Sequence, residues 1–277
     1  MRKVLKSYLV AVATCVFAGI LASCGADSIA GGAGAGNPGK TTIAIVAREK
    51  GAAPCVSGAV LTKPGVADAL VVTDSSNNVF TVENSFVIVK RIHFVVEPKN
   101  KEQITNAAVC SPLRKDAESI ILDGTFTFNA MNGTCEPPVG ALTLPDADYK
   151  GVKLVIENGP EKNSISLSGT FIYFDTIRRF NFDLPLTVNV TYENDGEAVH
   201  ISGADSTDIR IVLDASMWLS NISTDACIVS QGAAFDTTGI FVLDGKVPAG
   251  ACAEIPKKIS ENIIQSGKLK IKQIKVP

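Results

Sequence analysis

The sequence predicts an all-β protein, an antiparallel β-sandwich of the Ig-like or Greek-key type, closed by a short C-terminal helix and a terminal strand. Three observations carry this. Apolar and polar residues alternate with a period of two in one segment after another, Gly/Asn/Asp turn signals separate them, and only one stretch has helical spacing. Hydrophobic residues make up 46% of the 277, so a large core can be buried in one domain or two lobes.

The chain opens with Arg2, Lys3 and Lys6, followed by an uncharged run from Tyr8 to Ala22. That run is shorter than the roughly 20 residues needed to cross a bilayer core, and suits the apolar region of a secretory signal. It ends on Leu21-Ala22-Ser23-Cys24, which resembles the lipobox of bacterial lipoproteins. The resemblance implies cleavage before Cys24 and acylation of that cysteine, giving a signal peptide over 1–23. Gly25, where an aspartate would favour inner-membrane retention, implies the outer membrane.

Residues 24–40 read as a Gly/Ala-rich tether, a flexible chain reaching about 20–25 Å. Within it, Gly34 to Thr41 spells G-x-x-x-x-G-K-T, the pattern of a phosphate-binding loop. Such a loop needs a buried strand before it and a helix beginning at its Lys-Thr. Here a small-residue spacer precedes it, and the β-branched run Thr41 to Val46 follows, so a strand is expected and a nucleotide is not.

The folded domain is expected over 41–277. Ser85 to Glu97 puts Phe86, Ile88, Ile92, Phe94 and Val96 on one face, interrupted at Lys90, which predicts a bulge or bend at Lys90-Arg91. Ile165, Leu167, Phe171 and Tyr173 oppose Ser164, Ser166, Ser168 and Thr170. Leu186 to Tyr192 and Ile209 to Leu213 alternate in the same way. Ser75 to Asn78, Asp123-Gly124 and Asn194-Asp195-Gly196 read as turns linking successive strands. Near the end, Ile255, Ile259 and Ile263 predict a helix over about 256–266, with Gly267 as its C-terminal cap. Lysines then alternate with Leu269 and Ile271, the pattern of a guarded edge strand.

Cys15 is lost with the signal and Cys24 is taken by lipid, which leaves Cys55, Cys110, Cys135, Cys227 and Cys252 in an oxidising compartment. The favoured disulfides are Cys110–Cys135 and Cys227–Cys252, with Cys55 left over. Zinc is the competing reading, but there is no C-x-x-C and neither histidine neighbours a cysteine pair. Signal removal strips three cations and no acids, so the remainder is acidic, which argues against a nucleic-acid partner.

The motifs of known chemistry are missing: there is no G-x-S-x-G, no H-E-x-x-H and no serine with lysine three positions later. His93 and His200 fall in strand-like segments and read as sheet-face residues. Asp183, Asp205, Asp208 and Asp214 are available as carboxylates for a glycosidase, without a spacing that selects a pair. Asp74 to Asn78 and Asn194-Asp195 are oxygen-rich enough to suggest calcium, but turn chemistry accounts for both. No catalytic residue, cofactor or metal is assigned.

Phe80 to Phe94, Ile121 to Phe126, Leu142 to Glu157, Ile211 to Leu219 and the closing Cys252 to Leu269 together resemble a group of uncharacterised bacterial lipoproteins that share a domain of unknown function. Pro145-Asp146-Ala147-Asp148-Tyr149 departs from that group's usual Pro-Ala-Gly-x-Tyr. The resemblance implies a β-sandwich and carries over no catalytic residues. The expectation is therefore a membrane-anchored envelope lipoprotein that binds a partner protein or polysaccharide without catalysis. The alternatives are a structural envelope component and, third, a carboxylate-based glycoside hydrolase.

Overall fold

The computed structural model describes residues 40–47, 69–109, 111–159, 162–202, 205–230, 235–244 and 252–274. The expected signal, most of the tether, Cys24, Cys55 and Cys110 lie outside them.

The described residues form an all-β sandwich in which antiparallel pairing prevails. The smaller sheet is built from β1 (Thr41–Val46), β12 (Ser206–Leu213) and β14 (Gly267–Ile274), in the order β1-β12-β14. Lys40 and Thr41 thus open a strand, not the helix a phosphate loop requires. β12 lies parallel to β1 and antiparallel to β14, with Ile43 beside Ile209 and Ile45 beside Ile211 on a fully buried face.

The larger sheet is organised by β3 (Val79–Val96), eighteen residues long. Its first half lies between β2 (Leu70–Thr73) and β8 (Ile165–Tyr173). Its second half lies between β5 (Ser119–Asn129) and β7 (Ala147–Ile156). β9 (Thr176–Leu184) extends the sheet beyond β8, and β13 (Phe241–Asp244) pairs with it in parallel. The short β4 (Leu113–Lys115) and β6 (Cys135–Glu136) flank β5, while β10 (Val188–Glu193) and β11 (Val199–Ile201) flank β7.

The break expected at Lys90 is present, since both β5 and β7 shift register between Val89 and Arg91. The same bulge overturns the hairpin expected at Asp123-Gly124. β5 runs straight through both residues, Arg91 faces Asp123 and Val89 faces Phe126, so Lys90 opposes Gly124 and Thr125 together. Gly124 supplies the φ of +151° the bulge needs, and a Cβ there would lie 2.7 Å from the Phe126 ring.

A second expected hairpin is also corrected. Asn194-Asp195-Gly196 does turn, with Gly196 at φ +84° and the Glu197 N–H donating to the Asn194 carbonyl. However, β10 and β11 both pair with the same side of β7, so the segment is a loop thrown out of one edge strand. By contrast, the Ser75 to Asn78 turn joins β2 to β3 as expected.

Among the described residues three short α-helices complete the fold: α1 (Lys101–Asn106), α2 (Asp225–Ser230) and α3 (Ile255–Gln265). α3 buries Ile255, Ile259, Ile263 and Ile264 and packs on β9 and β13. Gly267 is not its left-handed cap; it is the first residue of β14. A glycine is needed there because a Cβ would sit 2.3 Å from the ring of Tyr192. Phe80, Phe171, Phe180, Phe182 and Phe241 form an aromatic core beneath β3, β8 and β9, with Phe80 stacked on Phe171 and the other pairs edge-on or tilted, and Trp218 is fully buried. No helix among the described residues is long and apolar enough to cross a membrane.

Candidate interaction face

Most of the described residues singled out for chemistry are engaged locally. Cys227 and Cys252 are joined by a disulfide, with Cα atoms 5.1 Å apart, which ties α2 to the segment leading into α3. Cys135 is disulfide-bonded as well, while its expected partner Cys110 lies outside the described residues.

His93, on β3, has Nδ1 3.0 Å from the Ser119 hydroxyl, and that hydroxyl donates to Asp116 at 3.0 Å. This is a Ser-His-Asp contact in the wrong order. The buried serine stands between acid and base and directs its proton to the acid, so the imidazole cannot activate it. Burial, then the charge of Lys153, holds the His93 pKa below its ordinary value, and Arg91 and Arg114 add to this against Asp116. His200, on β11, is bracketed by Asp148 at 2.9 Å and Asp146 at 3.2 Å, and Lys99 holds the other oxygen of Asp148. No nucleophile adjoins it among these contacts.

Three of the four candidate carboxylates have side-chain or turn partners, and the fourth, Asp183, is placed only by strand pairing. Asp208 is bonded to Arg210 at 2.7 Å, and Asp214 caps the turn Ala215–Met217 through Ser216. Asp205 accepts from Ser202, and Asp183 lies across from Ser166 and Asp244 on the large sheet. Asp74, the first oxygen of the suggested calcium loop, is buried and accepts five hydrogen bonds from Ser76, Asn78 and Thr224. Its lone pairs are committed to N–H and O–H donors. No group of three metal-ligating side chains is present among the described residues.

The segment Pro145 to Tyr149 also has a structural role. The Tyr149 hydroxyl donates to the Pro145 carbonyl at 2.9 Å in the manner of a tyrosine corner. Burial pushes its pKa well up.

What the architecture leaves open is the outer face of β2, β3, β8 and β9. Strand pairing sets Val71, Thr81, Thr170 and Arg179 in one row, and Asn84, Ser168 and Asn181 in another. Two irregularities shape it. β3 shifts register around Glu83, and Gly169 lies so close to that bulge that a Cβ would meet the Thr81 carbonyl oxygen at 1.9 Å. Toward the β8–β9 turn the face becomes apolar: Ile172 is 57% exposed, Ile177 73% and Phe174 79%. The sequence held a signal for this end, because Ile172 falls in phase with the polar Ser166, Ser168 and Thr170. An apolar residue in a wet row was the departure to notice.

A strand-rich body with an open, hydroxyl- and amide-bearing sheet face belongs to the broad class of β-sandwich proteins. Comparison with protein-family models, curated proteins and solved structures found no match.

Proposed function

We propose that this protein is a lipid-anchored component of a bacterial cell envelope whose folded body is a non-enzymatic binding module for a partner protein or a polysaccharide. The observation that carries this is the open β2-β3-β8-β9 face. Its rows of hydroxyl, amide and guanidinium groups repeat at the strand spacing of about 4.8 Å. They present fixed donors and acceptors to an extended ligand, while His93, His200, Asp208 and Asp214 are engaged by neighbouring side chains and turns. The anchoring half of the reading rests on Leu21 to Cys24 and the charged start, with the outer membrane favoured by Gly25. No nucleotide, nucleic acid, metal or cofactor enters it.

Pull-downs from intact cells and a glycan array test the binding half. Retention of a ligand by the native chain, and its loss in Ser168→Lys/Asn181→Lys, is the expected result; no ligand in either assay overturns it. Turnover of a sugar substrate abolished by one Asp substitution would put a hydrolase in its place. Cys24→Ala should release the chain from the membrane fraction, and unchanged fractionation overturns the anchor.

A second reading, a structural envelope component acting through a sheet edge, is favoured by β14. This strand is the outer edge of the small sheet and carries exposed Lys268, Lys270 and Lys272. Removing the segment is the wrong test, because β14 pairs with β12 along its whole length and buries Leu269. Replacing the three lysines by glutamine keeps the fold. Unchanged assembly and envelope integrity in that variant count against the structural reading.

A further inference from the structure

The β8–β9 hairpin ends in the two-residue turn Phe174-Asp175, where φ is +44° and +58°. Asn, Asp or Gly suit such positions, and a phenylalanine gains nothing there from the turn itself. Phe174 leans on Tyr173, with ring centroids 4.5 Å apart, and still presents most of its surface to solvent. Ile172 and Ile177 sit opposite each other on the outer side. Arg179 follows Ile177 on that outer side, and Arg178, across from Phe171, leaves the hairpin on its other face; both are exposed, and neither is held by a carboxylate among the described residues.

We propose that this tip is a membrane-contact finger whose partner is the surface of a bilayer bearing anionic headgroups. Ile172, Phe174 and Ile177 enter the interfacial layer, and Arg178 and Arg179 meet the lipid phosphates. The shape selects a fluid phase, since a protruding apolar tip buries its surface there without a complementary pocket. The charge selects anionic lipid: arginine stems lie along apolar neighbours while the guanidinium forks pair with phosphate oxygens. A two-fold contact with a second copy would instead set the same unpaired arginines against each other. Asp175 at the apex fixes the depth, because a carboxylate stays with the headgroups and out of hydrocarbon. The finger is the apolar end of the binding face, shares Arg179 with it, and does not require the anchor at Cys24.

The test uses full-length chain carrying Phe174→Trp, mixed with vesicles of phosphatidylcholine alone or of phosphatidylcholine with phosphatidylglycerol. The one native tryptophan, Trp218, is fully buried and gives a constant background. The expected result is a blue shift and quenching by bromine-labelled lipid in the anionic vesicles. Arg178→Gln/Arg179→Gln should weaken vesicle binding by about tenfold or more, on the scale of two juxtamembrane cations. An introduced indole quenched only by aqueous iodide in both vesicle types overturns the proposal. So does concentration-dependent dimerisation without lipid that Phe174→Ser abolishes, which assigns the tip to a second copy. Repeating the assay in Cys24→Ala separates finger from anchor. Anionic-selective association that Arg178→Gln/Arg179→Gln removes supports the finger, and association that the double variant leaves unchanged, as attachment through the basic start and Tyr8 to Ala22 would be, overturns it.

Discussion

Asp74 and Thr224, 150 residues apart in sequence, are joined twice: Thr224 donates its backbone N–H at 2.9 Å and its hydroxyl at 2.6 Å to one oxygen of the Asp74 carboxylate. The other oxygen holds the β2–β3 turn through the Ser76 and Asn78 N–H groups. Around this centre Ser75 donates to the Ile222 carbonyl, and Asn78 reaches Asp225 at the start of α2. One buried carboxylate therefore fastens the turn at one end of the large sheet to the helix that carries Cys227. Asp74→Asn places an amide N–H₂ against donors, and should cost about 2–3 kcal/mol of stability. Thr224→Val, which removes only the hydroxyl, should cost about 1 kcal/mol. Urea unfolding measures both, and equal losses would contradict the hub.

The same carboxylate makes stability depend on pH. Burial alone would raise the Asp74 pKa, but the hydrogen bonds from Thr224 and Asn78 outweigh it and hold the pKa below its ordinary value. Asp123 is lowered to about 2, chiefly by the hydrogen bond from Arg114, with Arg91 adding to it. A depressed folded pKa contributes stability that is complete above the unfolded value, near 4, and is lost as pH falls through the folded one. Stability should therefore be level above about pH 5 and fall between about pH 4 and pH 2. Asp74→Asn should flatten that fall. A profile in the variant as steep as in the native chain would remove Asp74 as its source.

Gly267 and Tyr192 test a close approach. The Tyr192 hydroxyl donates to the Ile264 carbonyl at 2.9 Å and its ring lies over Gly267, leaving no room for a methyl group. The ring is buried and hydrogen-bonded, so it cannot swing aside. Gly267→Ala should cost about 1–3 kcal/mol by overpacking. In a double-mutant cycle with Tyr192→Ala, the combined loss should be smaller than the sum of the single losses. Strict additivity would show that the two sites do not touch.

How much of this was readable beforehand follows from what each signal encodes. Alternation of Ile165, Leu167 and Phe171 reports a face correctly, but across the bulge at Lys90 it misleads: Val87 and Val89, not the expected Phe86 and Ile88, share the core face of Ile92 and Phe94. Asp123-Gly124 and Asn194-Asp195-Gly196 report where the backbone turns aside, but not whether the next segment returns along the same strand. One proved to be a bulge and the other a loop thrown out of an edge, because the deciding partners, β3 and β7, are remote in sequence. Gly267 looked like a cap because the helix does end there; the ring that excludes a Cβ comes from 75 positions upstream. The parallel pairings of β1 with β12 and β13 with β9 left no local trace. The interaction face was half visible, in the hydroxyl-bearing row of β8. Its apolar end leaves only a faint trace, Ile172 falling in phase with the polar Ser166, Ser168 and Thr170.

The disulfide between Cys227 and Cys252 closes a loop with a sequence separation of 25, and α2 is too short to be stable without support. The chain-entropy model gives a stabilisation of about 3–4 kcal/mol for a loop of that size. Cys227→Ser/Cys252→Ser should lower stability by that order. Because Asp74 holds the other side of α2, the loss should grow when combined with Asp74→Asn beyond the sum of the separate effects. Each clamp alone keeps α2 against the sheet, and removing both frees it. Hydrogen exchange at residues 225–230 reads this directly: protection should fall modestly in either variant and collapse in the combination. Native-like protection in the combined variant would show that neither clamp holds the helix in place.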